Sequence, residues 1–210
     1  MITFKEYDAA LSRRYDKGTK NKITTAKVAV AGLGGLGSNI AIYLARAGVG
    51  HLHLVDFDKV DITNLNRQQY DISDIGTFKT TALSEKIKRF NPFIKITTDN
   101  AMVTEENVKD IFSSYPIICE AFDKAENKAM LVNCILSEFR DTKIVSASGM
   151  AGLYSPNIIK TRKINDRFYL CGDTKSEIDT NIPLFAPRVA LCAAHQATTV
   201  LQIITGKEEI

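Results

Sequence analysis

Six consecutive residues, Gly32-Leu33-Gly34-Gly35-Leu36-Gly37, carry the most chemical information in this 210-residue chain. Glycines at the first, third and last of these positions let the backbone approach phosphate oxygens. A helix opening there adds unpaired N–H groups and the positive end of its dipole. The GxGxxG pattern requires an acidic partner about twenty residues further on. Asp56, nineteen residues beyond Gly37, meets that requirement with a carboxylate that can accept hydrogen bonds from both ribose hydroxyls and would repel a 2′-phosphate. This much suits a dinucleotide and ATP equally. The next segment separates them, because Asn64, Arg67, Gln68 and Lys79 follow within one crossover. Arginine grips phosphate oxygens in pairs and lysine neutralises them as a point charge, whereas a nicotinamide half-site needs an apolar pocket and a hydride-facing residue. Asp123 closes the run ICEAFD. A carboxylate at the C-terminal end of a strand, beside the glycine loop, suits a hard cation that keeps several waters; its other use is as a helix N-cap.

These residues need a scaffold that brings strand ends together. Lys27 to Ala31 (KVAVA) reads as a buried strand, the glycines open a helix ending near Gly48, and His51 to Val55 (HLHLV) reads as the next strand. A polar segment spans Asp56 to Gly76. A helix is predicted from about Lys79 to Phe90, stopped by Asn91-Pro92, followed by a strand at Ile94 to Thr97. Thr104 is placed to cap another helix, with Glu105 and Glu106 in its first turn. Ile117 to Ala121 reads as a strand, Lys124 to Arg140 as a helix and Lys143 to Ala147 as a strand. Such alternation predicts an α/β fold: a Rossmann-like, mostly parallel sheet with helices on both faces. Asn157 to Arg162 and Arg167 to Leu170 read as short strands around a turn at Asn165-Asp166, an antiparallel extension of that sheet. A long loop from Gly172 to Pro187, a plausible cover for the site, leads into an apolar helix from about Arg188 to Thr205, closed by Gly206. Phe4, Tyr7, Leu11 and Tyr15 recur at helical spacing ahead of a polar linker around Gly18 to Lys22. The organisation expected is one domain over residues 1–210: an N-terminal helix and linker (1–22), a nucleotide-binding core (27–150) and a sheet extension, loop and final helix (151–210).

Composition narrows the function classes. Apolar residues make 45% and charged residues 24%, as in an ordinary globular enzyme, and the net charge of +3 is dispersed. No basic run reads as an arm for nucleic acid, and no apolar stretch has the length of a membrane span. The first residues carry charges throughout with no apolar leader, so a cytoplasmic location is expected. Cys119, Cys134, Cys171 and Cys192 form no CxxC pair; zinc has no support, and free thiols in apolar runs act as small core hydrophobes. His51, His53 and His195 are expected to pack rather than to ligate.

In order along the chain, GLGGLG, DFD (Asp56 to Asp58), NLNRQ (Asn64 to Gln68), GTFK (to Lys79) and AFDKAENK (to Lys128) resemble the ThiF, MoeB and HesA adenylyltransferases, relatives of the ubiquitin-activating enzymes. Gly149-Met150-Ala151-Gly152, Cys171-Gly172-Asp173 and Ala186-Pro187-Arg188 extend the likeness to a short, zinc-free ThiF-like branch. The resemblance implies adenylation, with ATP and Mg²⁺, of the C-terminal Gly-Gly carboxylate of a ubiquitin-like sulfur carrier, a ThiS-like protein of thiamine biosynthesis before a molybdopterin-type one. It implies a nucleotide-contacting set of Gly32, Gly34, Gly35, Leu36, Gly37, Asp56, Asp58, Asn64, Arg67, Gln68 and Lys79, with Arg67 and Lys79 stabilising charge at phosphorus and Asp123 holding Mg²⁺. It also implies a homodimer in which an N-terminal arginine, Arg13 or Arg14, reaches the partner's ATP. Cys171, at a predicted strand-to-loop junction, is the candidate for a thioester or persulfide link during sulfur transfer. The competing readings are a nicotinamide-dependent dehydrogenase on the same fold and a non-catalytic nucleotide-sensing module.

Overall fold

The computed structural model describes residues 2–176 and 182–209. Two short helices, α1 (Phe4–Ser12) and α2 (Lys17–Thr25), precede β1 (Lys27–Ala31), α3 (Gly35–Ala47) and β2 (His51–Val55). After a crossover with two 3₁₀ turns come α4 (Lys79–Phe90), β3 (Lys95–Asp99), α5 (Val108–Phe112), β4 (Ile117–Glu120), α6 (Ala125–Glu138) and β5 (Lys143–Ala147). The chain ends with β6 (Lys160–Lys163), β7 (Phe168–Gly172) and the 20-residue α7 (Ala186–Thr205).

All seven strands join one sheet in the order β3-β2-β1-β4-β5-β7-β6. Every pairing is parallel except β6 with β7. The expected Rossmann-like α/β fold and its antiparallel extension are therefore both present. Strand periodicity explains the layers. Val28 and Val30 of β1 join a core with Leu44 of α3, Leu83 of α4 and Val200 of α7. Ala29 and Ala31, on the opposite face, pack with Phe112 of α5 and Leu131 and Ile135 of α6.

The differences from expectation are local. The polar stretch around Gly18 to Lys22 is not a linker but the body of α2, whose N-cap Asp16 accepts the Thr19 N–H at 2.9 Å. Its one buried residue is Ile23, and Lys22 Nζ donates to the Thr205 carbonyl at 2.7 Å, so docking on the end of α7 takes the place of an apolar stripe. Thr104 does not start α5; it opens a turn in which Asn107 Oδ1 accepts the Thr104 N–H at 2.8 Å, and the helix begins at Val108. The strand expected from Asn157 is a 3₁₀ turn over Pro156–Ile158, with β6 beginning only at Lys160.

Candidate functional site

Strand order reverses between β1 and β4, leaving an open crevice above the C-terminal ends of the strands, where ligands of open α/β sheets bind. A cavity of about 480 Å³ lies there, lined by Gly32, Gly34, Gly35 and Leu36 of the loop, by Asp56 after β2, and by Asp123 after β4.

The glycine loop is built to keep its backbone bare. Gly32 has φ +88°, and a Cβ there would lie 2.9 Å from the Ala121 carbonyl oxygen. Gly37 serves packing: a Cβ would sit 1.8 Å from the Gly32 carbonyl oxygen, so its absence lets α3 turn directly off β1. Gly37 does not line the cavity, unlike the other members of the expected set. The Tyr70 hydroxyl donates to the Leu33 carbonyl at 2.9 Å and pins the loop from behind.

Asp56 is buried and oriented. One carboxylate oxygen accepts the Leu33 N–H at 2.6 Å and the other the Asp58 N–H at 2.8 Å. Burial pushes its carboxyl pKa up, opposed by Lys79 and by those two N–H donors. Lys79, the first residue of α4, donates to Asp58 Oδ2 at 2.6 Å and lies 3.9 Å from Asp56 Oδ2. Its ammonium is thus already engaged by two carboxylates on the cavity wall. Arg67 Nη1 donates to the Thr63 carbonyl at 3.1 Å and to Asn66 Oδ1 at 2.7 Å, which parks the guanidinium on the crossover beside the glycine loop. Asn64 shares the wall, with Oδ1 spent on the Asp61 N–H at 3.0 Å. Gln68 is buried there, and its Oε1 has no partner among the described residues.

Asp123 is exposed on the opposite wall. The N-cap of α6 is Lys124, with no side-chain capping bond, so Asp123 does not serve as the helix cap that was its other reading. An open carboxylate fits a magnesium ion held chiefly by substrate phosphates and water, which needs one or two protein carboxylates. Among the described residues no group of three or more His, Cys, Asp or Glu side chains is arranged to hold a metal. Phe57, Met102, Val103 and Phe122 give one part of the cavity an apolar lining suited to a base, and Lys124 and Lys128 add cations beside Asp123. Lys128 lies inside the AFDKAENK match, which marks its segment without singling out the lysine.

Two expected residues lie elsewhere. Cys171 is the penultimate residue of β7, at the strand-to-loop junction as expected, but it is fully buried, with Sγ 3.6 Å from Thr161 Oγ1 and 3.9 Å from Thr199 Oγ1. Burial pushes its thiol pKa up against those two contacts, and it does not line the cavity. Arg14 follows α1, which docks through Leu11 on Gly48 and through Phe4 and Tyr7 on Phe93. Gly48 is the far end of α3, about 20 Å along the 13-residue helix from the glycine loop. Arg13 and Arg14 are therefore remote from the cavity of their own chain. In the loop from Gly172 to Pro187, residues 177–181 lie outside the described residues. Its nearer parts are held: the Ala151 N–H donates to Ser176 Oγ at 3.1 Å, the Gly152 N–H to the Pro183 carbonyl at 3.0 Å, and Leu184 lines the cavity.

A mostly parallel sheet with a bare-backbone glycine loop, a buried carboxylate after β2 and cations on the crevice wall defines a Rossmann-like nucleotide-binding protein. The chain belongs to the ThiF family, whose profile it matches over residues 7–210. It is 32% identical over 196 residues to the adenylyltransferase and sulfurtransferase MOCS3 of Dictyostelium discoideum, an alignment covering 89% of this chain and 45% of that protein. To the tRNA threonylcarbamoyladenosine dehydratase of Escherichia coli it is 33% identical over 153 residues, 71% of this chain and 56% of the relative. The chain thus spans about half the length of these full-length relatives. In fold it superposes on the crystal structure of E. coli tRNA N6-threonylcarbamoyladenosine dehydratase, TcdA, in complex with ATP, with a TM-score of 0.86 at 22% identity, covering 99% of this chain and 98% of that one. No helix among the described residues is long and apolar enough to cross a membrane.

Proposed function

We propose that this protein joins the C-terminal Gly-Gly carboxylate of a ubiquitin-like sulfur carrier to AMP, using Mg²⁺-ATP. A carboxylate oxygen forms a bond to the α-phosphorus, the bond from that phosphorus to the β-phosphate oxygen breaks, and magnesium pyrophosphate leaves. The observation carrying this reading is the convergence on one cavity of the glycine loop, Asp56, Arg67, Lys79 and the exposed carboxylate of Asp123.

The nucleophile is already an anion at neutral pH, so the protein's task is to align two anions and offset their charge. Asp56, fixed by the Leu33 and Asp58 N–H groups, presents its remaining lone pairs to the ribose hydroxyls. The glycine loop lets phosphate oxygens approach main-chain N–H groups. Arg67, tethered only to an exposed carbonyl and an exposed amide, is free to exchange those partners for phosphate. Asp123 would bind the ion carried in by the triphosphate. A dehydrogenase is disfavoured because the cavity wall carries Arg67, Lys79, Lys124 and Lys128, cations suited to a triphosphate.

Among carriers, the likeness of Gly149-Met150-Ala151-Gly152, Cys171-Gly172-Asp173 and Ala186-Pro187-Arg188 to the ThiF-like branch favours a thiamine-type partner over a molybdopterin-type one. Arg14, too distant for its own cavity, would act by reaching a second copy of the chain in a homodimer. A second reading has the same chemistry applied to a carboxylate on a tRNA nucleoside, favoured by the end-to-end superposition on TcdA. Incubation with Mg²⁺-ATP and Gly-Gly-tailed carriers should add the mass of AMP to one of them. A carrier that gains no mass, while a threonylcarbamoyladenosine-bearing tRNA loses water with ATP consumption, would replace the first reading with the second.

A further inference from the structure

A carboxylate that the reaction above does not use lies directly beneath the cavity. Glu120 ends β4 and has no exposed surface. Its Oε1 accepts the Phe122 N–H at 2.6 Å, its Oε2 accepts the Ser146 hydroxyl, and Lys128 Nζ sits 3.1 Å from both oxygens. The backbone is clamped as firmly: Gln196 Nε2, from the centre of α7, donates to the Glu120 carbonyl at 3.0 Å and to the Val145 carbonyl at 3.1 Å. A carboxylate taken wholly out of water is costly, and such pairs are stable only when every donor is well placed.

A purely structural ion pair would be closed on both partners. Here only the acid is closed. Lys128 is 19% exposed and lines the cavity. An ammonium has three N–H donors in all. Two are directed at the Glu120 oxygens, leaving one for an acceptor in the cavity. Lys79, by contrast, is closed in by Asp58 and Asp56 and is only 7% exposed. Lys128 is also held by a carboxylate that is itself fixed by the Phe122 N–H and the Ser146 hydroxyl, which places its charge before any ligand arrives; charge stabilisation is strongest under that condition.

We infer that Lys128 is a phosphate-binding residue for the triphosphate of ATP, and that Glu120, with Ser146, is the positioning group that aims it. The inference rests on the nucleotide reading above and adds to it a cation on the Asp123 side of the cavity. It implies discrimination by charge: a ligand with three phosphates should depend on Lys128, and one with a single phosphate should not.

The test is calorimetric titration of the full chain with Mg²⁺-ATP and with AMP. Lys128→Met alone would strand a buried carboxylate, so the informative variant is Glu120→Gln with Lys128→Met, which removes both charges together. Lys128→Arg serves as the conservative control. The double variant should lose about tenfold or more in ATP affinity while AMP affinity stays within about twofold, and Lys128→Arg should keep most of the preference for ATP. Parallel loss of ATP and AMP binding in the double variant would make the pair structural and overturn the inference, as would unchanged ATP binding. If the unaltered protein binds ATP and the double variant binds it equally well, only the assignment to Lys128 fails. If the unaltered protein binds no ATP, the nucleotide reading fails with it.

Discussion

Two buried acid–base pairs stand on either side of β5, and they are finished differently. Arg188, at the start of α7, donates to Asp173 Oδ2 at 2.5 Å, to the Tyr154 and Ser155 carbonyls at 2.8 and 3.1 Å, and to the Met150 carbonyl at 3.3 Å. Asp173 in turn accepts the Lys175 and Ser176 N–H groups and the Ser176 hydroxyl. Both partners are closed, and the pair ties the segment carrying Met150 to the helix carrying Val189, two residues of the cavity wall. In the Glu120–Lys128 pair the acid is closed and the base faces the cavity. The same chemistry makes a clamp when the cation's donors are spent on the chain, and a binding group when one is left over.

The largest test of that contrast is Arg188→Met. It leaves Asp173 charged and buried, and should cost about 3–5 kcal/mol of stability in urea unfolding; a loss under about 1 kcal/mol would mean the clamp is not closed. On the cavity side the cost should fall on the ligand instead. Asp123→Ala should lower ATP–pyrophosphate exchange by roughly 100-fold or more, equivalent to about 2.7 kcal/mol, while changing stability by no more than about 0.5 kcal/mol, as for other exposed sites. Retained exchange would remove its role with magnesium. Asp56→Ala should weaken nucleotide binding by about 10- to 100-fold, the loss of a hydrogen bond to a charged group, read by titration with ATP.

Smaller effects are expected away from both pairs. Lys143, the Tyr169 hydroxyl and Lys163 all donate to Glu208 and hold its carboxyl pKa down to about 2, from 4.5. A depressed acid contributes stability that is fully present above pH 4.5 and is lost as the pH falls toward 2. The loss should be about 1 kcal/mol for so accessible a group, and Glu208→Gln should remove that part of the pH slope. Cys171→Ser should leave adenylation unchanged. All four thiols are buried, and alkylation of the native protein at a rate near that of the unfolded chain would reopen a reactive role for Cys171.

The alternation of strands and helices, the GxGxxG turn and the spacing to Asp56 are local or periodic signals, and they survive in any window of sequence that contains them. They were enough for the fold and for the antiparallel end, and together with the family resemblance for about half of the cavity lining. Helix α2 was illegible because KGTKNKITT has no apolar stripe; its support comes from α7, far away in the chain. Cys171 misled because a strand's end can be marked by the following glycine, whereas its burial depends on Thr161 and Thr199 of other elements.

What the sequence determined by itself was which residue types stand at the ends of which strands, since backbone period and glycine chemistry act over a few residues. Only the tertiary structure decided how the charges are shared: that Lys79 is held by Asp58, that Arg188 is spent on Asp173 and three carbonyls, and that Lys128 keeps one face open. Ion pairing depends on distance and solvent exclusion in space, and neither is written in spacing along the chain.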